Sequence, residues 1–281
     1  MIRTSSFVGL TAALAAGCGI LPAAAPSARV NAPSAQEIIR RSVENNDRNW
    51  KVAPEFAFTE QDVVRNGGKK TDRTYENIMI EGSPYQKLIA IDGEPLSRRK
   101  ADAEDRKLQQ AIQRRSSESE ADRRARIEQY ERERRQNHEL MSQMTKAFDF
   151  KLTGEETVNG RGCYVLDGTP RADYTPINRE TEVLKGMRGR LWVDKEEFQW
   201  VKVHAEVFQP VEYGLFVAKV QPGTEFTLEM GPVGGGIWLP TRFSQDVNAD
   251  VMFFWQHKTS EHDTYWGYKR TGPENMRAAV E

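Results

Sequence analysis

Between its apolar runs the chain is broken by only two or three residues at a time, as at Asn66-Gly67-Gly68, Gly82-Ser83-Pro84 and Asn159-Gly160. A parallel return needs a crossover of about a dozen residues, so strands joined this closely are antiparallel neighbours. The run Val201–Val207 shows the pattern most cleanly. Val201, Val203, Ala205 and Val207 fall on one face and Lys202, His204 and Glu206 on the other, which is a strand with one wet side. Eleven strand-like segments follow this style, with no strand–helix–strand alternation and no fixed-period repeat. Each neighbour adds right-handed twist. The expected fold is therefore mainly β with helices (α+β), a strongly curved antiparallel sheet or incomplete β-barrel of about eleven strands.

Two segments are helical. In SAQEIIRRSVENN, Ser34 caps, Glu37 lies three residues on, and Ile38, Ile39 and Val43 share a stripe. From Leu96 to Ala147 neither Gly nor Pro occurs, which reads as one or two long helices broken near Ser116-Ser117. Their apolar seam is thin: Leu108 with Ile112, Ile127 with Tyr130, and Leu140 with Met141 and Met144. Such a helix either lies on the sheet along that seam or projects into solvent on its charge pairs. These helices are expected to cover the sheet's concave side and enclose a cavity.

The first 28 residues place one Arg before a short apolar run and then small residues, the layout of a secretory signal. Two processing routes stay open. Small residues around Ala25 and Ser27 suit ordinary signal peptidase, and Leu14–Cys18 is similar to a lipobox, in which Cys18 would be acylated and tether the protein to a membrane. A single domain is expected over 34–270, with a helical insert at 96–147 and a tail at 271–281. Cys18 and Cys163 are the only cysteines, so the domain has no disulfide framework, and Cys163 reads as a small buried strand residue.

Little points to chemistry. Lys and Arg number 40 against 41 Asp and Glu, so no global field attracts nucleic acid. The insert's basic clusters, Arg98-Arg99-Lys100, Arg123–Arg126 and Arg132–Arg135, are interleaved with acids and read as a solvated helix. His204, His257 and His262 match no zinc spacing, and no nucleophile elbow, phosphate loop or metalloprotease motif occurs. No metal, cofactor or catalysis is expected. Alternation instead nominates an apolar, ligand-binding set: Leu191, Val193, Val201, Val203, Val207, Phe226, Leu228, Phe253 and Trp255. An acyl chain gains about 0.8 kcal/mol per buried CH₂, so a dry pocket of this kind would hold one. Phe253-Phe254-Trp255 with Tyr265, Trp266 and Tyr268 puts bulky groups on both sides of neighbouring strands.

The hairpin RLWVDKEEFQWVKVHAEV, with Trp192 and Asp194 at its turn, is followed by IWLPTRF, where Trp238 and Pro240 open a strand. Together they resemble the outer-membrane lipoprotein-sorting superfamily (LolA, LolB and RseB types). EIIRRSVENN, the GEETVNGRGCYVLDGTP hairpin and the Arg/Glu-rich insert resemble an acidobacterial-type branch of it. The resemblance covers roughly 34–270. It implies an incomplete barrel with acyl chains in an apolar hollow, and a periplasmic or outer-membrane-associated carrier or receptor for acyl chains or a lipidated protein. The alternative it implies is an envelope sensor that docks a partner through the charged insert.

Overall fold

A computed structural model describes residues 32–178, 180–213, 218–251 and 255–271. The signal, Cys18, Phe253 and residues 272–281 of the tail lie outside the described residues. From Pro33 onward the chain forms one compact unit. It opens with α1 (Ala35–Val52) and a 3-10 turn at Ala53–Glu55, then β1 (Phe56–Asn66), β2 (Lys69–Ile80), β3 (Ser83–Ile91) and β4 (Glu94–Pro95). Two helices follow, α2 (Arg98–Ser116) and α3 (Glu120–Ala147). Next come β5 (Phe148–Val158), β6 (Arg161–Pro170), a 3-10 helix at Glu180–Gly186, β7 (Met187–Asp194) and β8 (Trp200–Val207). Last are β9 (Val211–Tyr213), β10 (Ala218–Val220), β11 (Glu225–Gly234), β12 (Ile237–Val251) and β13 (Trp255–Arg270).

Local chemistry sets the helix ends. The Glu37 N–H donates to Ser34 Oγ at 3.2 Å, and the Asp122 N–H donates to Ser119 Oγ at 3.2 Å, so both helices start on serine caps. The break between α2 and α3 falls at Ser117, whose N–H is shared between the Gln113 and Arg114 carbonyls. No helix among the described residues is long and apolar enough to cross a membrane.

All described pairings are antiparallel, in the order β4-β3-β2-β1-β13-β12-β11-β8-β7-β6-β5, with β9 and β10 attached beside β12. This order corrects the expected strongly curved sheet or incomplete barrel. It is linear and open, with β4 and β5 at opposite edges and no pairing between them. Twist does not have to run to closure here, because helices cover the apolar face instead. The connection that joins the two edges is the insert itself. A 28-residue helix is about 42 Å long, comparable with the width of eleven strands spaced about 4.8 Å apart. Helix α3 accordingly touches β3 near one edge, α1 in between, and β5 at the other.

Arginines hold the insert down. Arg115 donates to the carbonyls of Ile80, Ser83 and Pro84 at 3.0, 2.8 and 3.0 Å, gripping the β2–β3 turn. Arg126 donates to Ser83 Oγ at 2.6 Å and to the Glu81 carbonyl at 3.1 Å while paired with Glu118 at 2.6 Å. Gly82 in that turn has φ +84°, a conformation that favours glycine, and a Cβ there would also push the end of the Ile127 side chain aside from 2.8 Å. Arg134 donates to the Trp50 carbonyl at 2.6 Å and lies over the Trp50 ring, which stacks on His138 at 4.2 Å. The seam read from sequence contributes as well, since Met141 and Met144 pack on the main core, and Ala111, outside that seam, is buried too. The insert is therefore a sheet cover with one charged face, rather than a wholly solvated rod.

Candidate functional site

The strands create a hollow by aligning small residues. Gly168 on β6 pairs with Gly189 on β7, which pairs with Ala205 on β8. Phe150 on β5 and Phe226 on β11 complete the row on either side. Directly paired residues share a face, so this row is a trough with phenyl walls. Neither glycine is free to grow: a Cβ at Gly189 would meet the His204 carbonyl oxygen at 2.9 Å, and one at Gly168 would meet Phe150 at 3.0 Å. Above the trough lie Met141 and Met144 of α3, and Val183 and Leu184 of the 3-10 helix closes one side. The result is a cavity of about 340 Å³ with an almost wholly apolar lining, at the small end of the roughly 300–1,000 Å³ usual for ligand pockets.

Of the nominated apolar residues, Leu191, Val203, Phe226 and Leu228 line this cavity. Val193 and Val201 are nearly fully buried in the main core with Ile38 of α1, and Val207 belongs to the adjoining core around Phe148 and Met187. Phe253 lies outside the described residues, and of the Trp255 side chain nothing is described. The lining residues Phe148, Phe150, Met144 and Phe243, and the small-residue row itself, were not nominated from sequence, since the row exists only once the register is known.

The family-motif residues form a different cluster. Asp194 accepts from Arg161 Nε at 2.6 Å and from the backbone N–H groups of Glu196 and Glu197 at 3.0 and 2.6 Å, which closes the β7–β8 turn. Burial by itself would raise this carboxyl, but the Arg161 hydrogen bond and the backbone donors outweigh it and hold Asp194 below the usual aspartate range. Trp238 is fully buried, donates through Nε1 to Glu197 at 3.2 Å, and has the Arg161 guanidinium 4.9 Å from its ring. Its backbone N–H donates to Asn49 Oδ1, whose amide donates to Gln199 at 2.8 Å. Trp192 donates to Glu156 at 2.8 Å, and the Pro240 carbonyl accepts from Tyr268 at 2.6 Å. This cluster fastens α1, the β7–β8 turn and the start of β12 together.

Beyond β12 the same sheet face changes character. Phe243, a cavity residue, pairs with Asp263 on β13, and Asp263 pairs with Asp62 on β1. Glu261 accepts from Gln245, another cavity residue. Burial, with Glu261, Asp62 and Glu60 adding repulsion against a hydrogen bond from Tyr265, pushes the Asp263 carboxyl up to about 6. Burial likewise raises Glu60 and Asp62. Farther along, Glu60 takes hydrogen bonds from Asn77 and Gln86 at the edge of a second, more polar hollow of about 570 Å³ beside Phe58, Tyr85 and Tyr130. Tyr268 stacks on Phe58 and Tyr265 meets it edge-on, while Trp266 faces the opposite side and is 44% exposed.

The histidines are not brought together. His204 on β8 lies 3.1 Å from Thr227 on its neighbour, His262 is on β13 with β11 and β12 between, and the His257 side chain is not described. Cys163 is buried, and burial pushes its thiol up to about 11, far from a reactive thiolate. No disulfide and no catalytic cluster is seen among the described residues.

Fold and site together define an α+β module whose open antiparallel sheet is covered by helices over an apolar hollow. No protein-family model matches the chain, and no curated protein matches it. Among solved structures it is distantly similar to a LolA superfamily protein from Nitrosomonas europaea, at 14% identity and a TM-score of 0.32, covering 87% of this chain and 97% of that one. It is also similar to a domain described as an outer-membrane lipoprotein-sorting protein from Vibrio parahaemolyticus, at 10% identity and a TM-score of 0.33, covering 86% and 98%. The Pseudomonas aeruginosa MucA/MucB complex is similar at 11% identity and a TM-score of 0.24, covering 85% and 96%. Scores this low concern general architecture and assign no function.

Proposed function

We propose that this chain is an exported cell-envelope protein that acts by binding, without catalysis, and that it docks an acidic protein partner on the outer face of the α2–α3 cover. One observation carries this reading. The arginines facing the sheet, Arg115, Arg126 and Arg134, are occupied by backbone and side-chain acceptors. Those facing outward, Arg98, Arg99, Lys100, Arg106, Arg114, Arg132 and Arg135, are exposed and within ion-pair distance of no carboxylate among the described residues. Five of the ten carboxylates between Arg98 and Ala147 are held in ion pairs, and 14 Lys and Arg face those ten acids, so the insert carries a cationic excess although the whole chain is balanced. The export signal, and a membrane tether through Cys18 if it is acylated, supports an envelope location. The acidobacterial-type branch rests on the sequence resemblance.

The trough favours a second reading, in which the cavity holds an acyl chain or the lipid of a lipidated protein. One experiment separates the two. A photo-crosslinking residue is placed at Arg106, at Arg135 and, as control, at Glu206, and the protein is purified from its native envelope; lipids are extracted from the same preparation. A partner crosslinked from both helix positions and absent from the control supports docking. Stoichiometric lipid without helix-dependent crosslinks supports the acyl carrier and overturns docking. Deleting 99–137 is a poor substitute, because it removes the clasp on the β2–β3 turn and most of the cover.

A further inference from the structure

We propose that Asp62, Glu261 and Asp263 form a calcium site on the helix-covered face of the sheet, at the border of the apolar cavity. One carboxylate oxygen from each of the three lies within 4.8 Å of the others. Three oxygens this close can share one hard cation, and calcium, which accepts irregular oxygen geometry at about 2.3–2.6 Å, suits such a site better than magnesium, which demands a near-ideal octahedron.

Proximity of acids alone would mean little, since exposed acids often cluster. Here a second fact points the same way. Asp263 is 6% exposed, and its two oxygens are treated differently: Oδ2 accepts from the Tyr265 hydroxyl at 3.0 Å, while Oδ1 is buried and no protein group donates to it. Oδ1 of Asp62, opposite it in register, is orphaned in the same way. Buried carboxylate oxygens are normally satisfied, and an orphaned pair side by side asks for a shared cation. No Lys or Arg comes within ion-pair distance of the three among the described residues. Arg73, opposite Asp62 on β2, is exposed and bonded to Tyr75. The donors are all oxygen, with no imidazole or thiolate, which selects a hard cation over zinc or copper. The residues come from strands nearly 200 positions apart that meet only because β13 pairs with β1, so no local motif reveals them.

The test uses the full mature chain stripped with chelator and held at constant ionic strength and neutral pH. Terbium is titrated with excitation through tyrosine, Tyr265 being bonded to Asp263, and calcium is then used to displace it. The expected result is one saturable site, displaced by calcium at about 10⁻⁴–10⁻³ M, as in extracellular calcium modules. Asp263→Asn and Asp62→Asn should each weaken it at least about tenfold. Absence of a saturable signal, or an equal signal in the variants, overturns the proposal in favour of two carboxylates sharing a proton. Should a variant fail to fold, the melting temperature of the wild type decides: a rise with calcium and none with equal magnesium supports the site, and equal or absent rises overturn it. No lipid or partner enters the measurement, so its outcome is separable from the docking reading.

Discussion

Arg161 and Asp194 lie 2.6 Å apart across the β6–β7 pair, and the aspartate also caps the turn that begins β8. Asp194 is 2% exposed, so its charge depends on this partner. Replacing Arg161 with Met leaves a buried carboxylate with backbone donors only, and removal of one member of such a pair costs about 3–5 kcal/mol. Urea denaturation should show that loss. The pH dependence has a definite sign. A folded pKa below the unfolded value contributes stability above about pH 4 that is lost as pH falls through the folded value. Arg161→Met should therefore move the onset of acid unfolding to higher pH, and an unchanged acid limb would show that the backbone donors suffice.

The trough predicts a cavity-filling variant. Ala205→Leu adds three carbons between the Phe226 and Gly189 rows without touching the outer helix face. Overpacking a buried position typically costs about 1–3 kcal/mol, and the loss here should sit at the low end because the hollow takes up the added carbons. Binding of a fluorescent fatty-acid probe should fall sharply. If the probe binds as before, it is held somewhere other than this hollow.

Arg126→Met tests the clasp. It frees Glu118, Ser83 Oγ and the Glu81 carbonyl together, at an expected cost of about 1–3 kcal/mol. Amide exchange should rise in Glu118–Ile127 and in the β2–β3 turn, leaving β7 and β8 protected. Uniform exchange across the chain would mean that the cover and the sheet open as one unit.

Cys163 should resist alkylation. With its thiol at about 11 and its side chain buried, modification near pH 8 is expected only after denaturant is added. Rapid labelling of the native protein would place that strand at an opening edge.

Antiparallel pairing, the two helical regions and the Ser34 cap are all legible in sequence, because each depends on short-range pattern, whereas the Ser119 cap of α3 is not read there. Leu191 and Val203 could be assigned to one face for the same reason. What alternation cannot give is pairing partners. The Gly168–Gly189–Ala205 row, the Asp62–Asp263 pair and the open edges at β4 and β5 all depend on which distant strand lies alongside. The charges of the insert misled in a related way: Arg115 and Arg126 look like solvated helix residues until the turn they grip is placed beneath them.

The position of β13 has a bearing on what truncation would expose. Without that last strand, β1–β4 and β5–β12 share no ladder hydrogen bond among the described residues, and each half ends in an unsatisfied edge. In the folded chain the two half-sheets are linked by the charged helical insert and joined edge to edge only by the final strand. A chain cut short before Trp255 would therefore keep two unpaired strand edges, at β1 and at β12, each open to pairing with another chain.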